Sequence, residues 1–161
     1  MDQQIIELFR SLGRHVIPST MGVDILKPTP TLRIDSTFYE YGCHLVINPP
    51  TEEIEVEVLN ARQSMSYPEA YASFRVAPEQ LVLTPAQIKY FIEFHSDYIT
   101  AGGCINPAKF LCRGKSELVV ASVYLAEETV IRVSTYPASF GWQWHASGEH
   151  CPHHYVVPVI Q

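Results

Sequence analysis

The chain has 161 residues, 47% of them hydrophobic and 17% charged, with a formal net charge of −6. That length predicts a single domain, residues 1–161, able to bury a core, and an aromatic content of 11% weighs against disorder. The acidic balance weighs against nucleic acid and anionic membranes as partners, since both are bound by neutralising phosphate and the longest basic grouping is only Arg113-Gly114-Lys115.

The N-terminus, MDQQIIELFRSLGRH, carries acid early and no long apolar core. No apolar run approaches the roughly 20 residues of a membrane helix, and the expectation is a cytoplasmic protein. Its four cysteines, Cys43, Cys104, Cys112 and Cys151, are then expected as free thiols. None of them forms a Cys-x-x-Cys pair, the usual spacing of a structural zinc motif.

In chain order, Ile5, Leu8, Phe9 and Leu12 recur at helical spacing and predict a short amphipathic helix over residues 3–14. Pro18, Gly22, Pro28 and Pro30 mark residues 17–30 as an irregular connector. Leu32 and Ile34 read as a short strand, and Cys43 to Ile47 as another. Glu53 to Leu59 alternates acid with Ile54, Val56 and Val58, the pattern of a half-buried antiparallel strand. Ser66 and Glu69 have capping-box spacing ahead of residues 67–76, where helix and strand both remain open.

Thr84 to Gly103 is the best-defined element. Thr84 is an N-cap, Pro85 sits at the first helical position, and Gly102-Gly103 supplies a stop. Ile88, Phe91, Ile92, His95 and Ile99 form one stripe, widened by Phe94 and Tyr98, and predict a helix over residues 85–101. Strands follow: Lys109 to Cys112, Glu117 to Ala126 (apolar on both faces and so central), Thr129 to Ser134, Trp142 to His145, and Tyr155 to Ile160. Pro158 confines the last to an edge or its own end. The order is not βαβ. It predicts an α+β fold, a mostly antiparallel sheet against one long helix, with the short helix at the N-terminus.

Two regions hold candidate chemistry. If a pocket lies between helix and sheet, His95 looks into it with Tyr98 and Phe91; a core histidine is the plainer alternative. Trp142 and Trp144 share one strand face and suit a ligand platform, a protein interface or a core. In WQWHASGEHCPHHYV, His145, His150, Cys151 and His153 are borderline or soft ligands close enough to converge on zinc, with Glu149 as a base or outer partner. The same cluster could activate Cys151 as a thiol nucleophile, or be an ordinary polar turn. No Walker loop, dinucleotide glycine pattern, Gly-x-Ser-x-Gly elbow or His-Glu-x-x-His is present.

The sequence therefore predicts a non-enzymatic binding module for an apolar small molecule or a protein partner. It is expected as a homodimer without a cofactor, because low charge leaves apolar strand ends to cover. The competing expectation is a metal-dependent or thiol enzyme built on residues 145–154, with zinc as its cofactor.

Overall fold

The structure, a computed structural model, describes residues 3–22, 26–100, 107–127, 129–141 and 153–160. It is α+β. The elements are α1 (Gln3–Leu8), β1 (Phe9–Ile17), β2 (Leu32–Ile34), α2 (Ser36–Glu40), β3 (Ile54–Ala61), α3 (Tyr67–Ala72), α4 (Pro85–Phe94), α5 (Asp97–Thr100), β4 (Ala108–Arg113), β5 (Leu118–Glu127), β6 (Val130–Pro137) and β7 (His154–Pro158). The strands form one seven-stranded sheet in the order β1-β3-β7-β4-β5-β6-β2.

The sheet is mixed and not simply antiparallel. β7 runs parallel to β4, and β2 runs parallel to β6; the other four pairs are antiparallel. The β6-to-β7 connection therefore joins parallel strands. Helices cover both faces, so alternate residues of one strand enter different clusters. Phe110 and Cys112 of β4 and Val119, Ala121 and Val123 of β5 pack with Ile88, Phe91 and Ile92 of α4 and with Phe38 of α2. Leu111, Val120, Tyr155 and Val157 pack on the opposite face with Tyr67, Ala70 and Tyr71 of α3.

The single long helix expected over residues 85–101 is two pieces. Thr84 caps α4 as foreseen: its Oγ1 accepts from Gln87 N, and Gln87 Oε1 accepts from Thr84 N. The helix ends at Phe94, and His95 leaves it with φ −131°. Phe94 is 64% exposed, so it does not widen the stripe. The break is stabilised from outside the segment. It turns Tyr98 toward β1 and buries Ile99, and Ile99 N donates to Ser96 O at 2.8 Å to start α5.

The helix expected over residues 3–14 stops at Leu8, and the chain continues as β1. A bulge explains how one strand serves both faces. Ser11 pairs with Leu59 and Gly13 with Val58, leaving Leu12 extra. Phe9 before the bulge joins the α3 face, whereas Ile17 after it joins the α4 face. Gly13, at φ +135°, occupies backbone space that disfavours a side chain. Cys43 to Leu45 is a 3₁₀ turn and not the expected strand, since Gly42 in the left-handed region (φ 68°) curls the chain ahead of it. Residues 67–72 resolve as helix, with the Ser66–Glu69 capping box formed in both directions. Pro158 ends β7 as expected.

Candidate functional site

Three polar features lie on this scaffold. The first is a cleft of about 620 Å³ where α4 meets the β2–β6 end of the sheet. Leu32 and Ile131, paired across β2 and β6, and Ile92 of α4 make its apolar floor. Thr29, Thr31 and Thr129 stand on the sheet side, and Ser96 stands on the helix side. Lys27 comes from the connector before β2; Lys89 and Glu93 come from α4. Residues 89, 92 and 93 follow helical spacing and share one stripe of α4, and Ser96 joins them from the turn after the helix.

The second feature holds three of the expected ligand-binding residues. Phe91, His95 and Tyr98 do come together, but on the β1 side of the helix, and none of them lines the cleft. Phe91 stacks on Tyr98 with ring centroids 5.9 Å apart and lies 5.2 Å from the His95 ring. Their partner is His15 on β1, whose phase the Gly13 bulge sets. His15 Nε2 lies 2.6 Å from the Tyr98 hydroxyl, and the His15 and His95 rings are 4.4 Å apart. Burial, and then the neighbouring His15, push the His95 imidazole below its ordinary value, against an opposing pull from Asp97. Tyr98 is raised, by burial first and Asp97 second. His95 Nε2 is buried with no hydrogen-bond partner among the described residues.

The third feature crosses the α3 face. Lys109, only 1% exposed, pairs with Tyr155 on β7 and with Ser122 on β5; Ser122 in turn pairs with Ser134 on β6. Ladder neighbours hold their Cβ atoms about 5 Å apart, so this register lays an amine and two hydroxyls side by side. Ser134 donates to Asp35, whose other oxygen accepts from Arg132 Nε at 2.5 Å. The Tyr124 hydroxyl lies 3.2 Å from Ser134 Oγ. Lys109 Nζ is 2.7 Å from His153 Nδ1 and 5.5 Å from the Tyr155 ring centre. Burial lowers the Lys109 amine from 10.5 to about 7. Burial, then the Lys109 charge, takes His153 from 6.5 to about 4. Beside it, His154 Nδ1 lies 2.9 Å from Tyr98 O.

Of the zinc candidates, His153 is described, and its Nδ1 is engaged by Lys109. His145, His150 and Cys151 lie outside the described residues, as do Trp142, Trp144 and Glu149. Among the described residues no three His, Cys, Asp or Glu side chains are grouped to hold a metal ion. Cys43 and Cys112 are free, buried thiols. Cys112 donates a hydrogen bond toward Cys43, which lowers Cys43 and raises Cys112.

Sequence reasoning missed Lys109, His15 and the whole connector wall of the cleft. The available signals were a lysine inside the apolar run AKFLC and the alternating hydroxyls of Thr29-Pro30-Thr31. Compared with protein-family models, curated proteins and solved structures, the chain matches none of them. Among the described residues no helix is long and apolar enough to cross a membrane.

Proposed function

We propose that this protein is a binding module that holds a small, largely apolar molecule in the cleft between α4 and the β2–β6 end of the sheet. One observation carries the reading: a concavity of about 620 Å³ with an apolar floor of Leu32, Ile92 and Ile131 beneath a rim of hydroxyl and charged groups. Small-molecule sites are commonly clefts of about 300–1,000 Å³ with this division of labour. The fluorescent probe N-phenyl-1-naphthylamine, uncharged and apolar, tests it. The wild type should bind it at one saturable site. Thr31→Phe, which extends an exposed rim residue across the cleft, should weaken binding about tenfold or more at an unchanged melting temperature. Absence of saturable binding, or binding indifferent to Thr31→Phe, would sink the proposal.

A second reading has its own observation. Lys109 at about 7 is an amine able to exchange a proton near neutrality, and His153 lies 2.7 Å away. It belongs with an enzyme using the residues 145–154, including a zinc enzyme on His145, His150, Cys151 and His153. Metal measurement on untagged protein, with melting before and after chelation, tests the zinc form; substoichiometric metal and an unchanged melt would remove it.

A further inference from the structure

We infer that His15 and His95, packed together with Tyr98, form a proton-operated latch between β1 and α4 that holds the α4 cleft in its binding shape while both imidazoles are neutral and loosens it in acid. The inference rests on the cleft reading above and adds its regulation.

The latch joins distant parts of the chain. The His15 and His95 rings lie 4.4 Å apart, and Phe91 of α4 packs against both His95 and Tyr98. His95 Nε2 is buried and meets no hydrogen-bond partner among the described residues. A neutral ring can leave that nitrogen without a proton. A protonated ring places an N–H there, a charged donor with no acceptor, and unsatisfied charged groups cost more than neutral ones. Tyr98 gives the contact two positions. Its hydroxyl lies 2.6 Å from His15 Nε2 and 3.4 Å from Leu12 O. Neutral His15 can accept the hydroxyl proton at Nε2. Protonated His15 can only donate there, which sends the hydroxyl proton to the longer Leu12 contact. Two protonated rings at this separation also repel each other.

Among the described residues, the titratable groups around the latch are Tyr90 from α4, Asp97 and Tyr98 from α5, His15 from β1, and His154 from β7, whose ring is 6.0 Å from that of Tyr98. β3 and β4 present Val56 and Phe110. Asp97, which is exposed, is the one anion in that set. Burial and then His15 outweigh it, so His95 sits below its ordinary value. The closed latch thus binds a proton less readily than an open one, and falling pH shifts the balance toward open. The helix α4 carries the change to the cleft because adjacent residues serve both sides: Phe91 packs in the latch and Ile92 lies in the cleft floor. Among the described residues the cleft lining holds no histidine, so the latch is the imidazole input to it.

N-phenyl-1-naphthylamine reads the latch, because the probe stays uncharged from pH 7.5 to 5.5. Over that range, with the fold intact by circular dichroism, wild-type affinity should fall about threefold or more, and no more steeply than about tenfold per pH unit, the limit for a single proton. His95→Gln cannot take up the proton, so it should match the wild type at pH 7.5 and stay flat in acid. His15→Gln should reduce the fall. By NMR its His95 ring should titrate higher than in the wild type, since His15 helps to depress it. Melting at pH 7.5 checks that both variants fold, and the wild-type titration stands without them. Saturable binding that Thr31→Phe weakens, yet equal at pH 7.5 and 5.5 in the wild type, would overturn the latch and leave the cleft reading intact. A fall in affinity that survives unchanged in His95→Gln and His15→Gln would do the same. Absence of saturable binding at pH 7.5 would overturn the two together.

Discussion

Replacing Lys109 by methionine should stabilise the protein at neutral pH and destabilise it at high pH. The side chain is 1% exposed, and burial takes its amine from 10.5 to about 7. Methionine is close to lysine in length and carries no charge. At about 1.36 kcal/mol for each pH unit, keeping the amine in this site costs about 5 kcal/mol at pH 7. The sign follows from proton uptake. Between pH 7 and 10.5 the unfolded chain holds a proton on Lys109 that the folded chain lacks, so wild-type stability rises with pH across that window. Against this stands the contact of Nζ with His153 Nδ1 at 2.7 Å. Losing the polar contacts of the amine, that one among them, costs about 1–3 kcal/mol. Lys109→Met should therefore be about 2–4 kcal/mol more stable than wild type at pH 7, and should lose that lead and fall behind near pH 10. Urea unfolding of both proteins from pH 6 to 10.5 reads the gap directly. A second readout is His153, which the Lys109 charge helps to depress: its imidazole should titrate higher in the variant by NMR. A gap that does not change with pH, or a variant already less stable at pH 7, would refute the account of a buried, neutralised lysine.

Other expectations are independent of that one. Phe91, fully buried on α4 with its ring against Phe110, should cost about 3–5 kcal/mol when cut to alanine, and a loss below about 1 kcal/mol in urea would show its face is not core. Acid should weaken the fold as pH falls from 6.5 to about 4, because the unfolded chain protonates His153 before the folded one does; His95 and His154 shift in the same direction. His153→Gln should flatten part of that decline in circular-dichroism melts, and an identical decline in the variant would show that His153 does not carry it. Thiol titration of unfolded protein without reductant should find all four cysteines, including the buried Cys43 and Cys112, and two or fewer would contradict it. We propose a homodimer through the corner where Met21, Leu45 and Ile47, the last 94% exposed, sit on segments joined by the Thr20–Thr51 bridge. Light scattering should give twice 18.2 kDa and Ile47→Glu should halve it, whereas 18.2 kDa for the wild type would refute the dimer.

The parts of the fold that sequence made legible are those whose cause is local. Thr84 and Ser66 cap helices with groups three residues away, so their geometry is written in the sequence itself. The central β5 was legible because burial on both faces demands an unbroken apolar run. β1 was not, because its state depends on a partner far along the chain. Phe9 and Leu12 suit a helical stripe, and pairing with β3 together with the bulge overrides them. The same holds at His95. Local periodicity runs on through Ile99, while contact with His15, some eighty residues earlier, rewards a turn there. Ser96-Asp97 was the local clue, since a hydroxyl before an acid is a common helix start.

The site was harder to read for a related reason. Helical spacing separates residues by angle, and it does not say what each angle meets. On α4 the stripe of Phe91 and His95 is more apolar and aromatic, so it attracts attention as a ligand wall. It is covered by β1, which supplies His15 and the backbone carbonyl of Leu12 to the Tyr98 hydroxyl. The neighbouring stripe of Lys89, Ile92, Glu93 and Ser96 looks like an ordinary solvated face. It becomes a wall because β2 ends after three residues and its lead-in, Lys27 to Thr31, stands off from the helix. A short edge strand and a polar connector thus leave open what a longer strand would have filled. The choice between the two stripes decides where ligand should act. Ile92→Ala would enlarge the cleft floor and His95→Ala would empty the β1 side, so only the first should change probe affinity if the cleft is the binding site. Loss of N-phenyl-1-naphthylamine binding in His95→Ala, with Ile92→Ala unaffected, would move the site to the histidine side of the same helix.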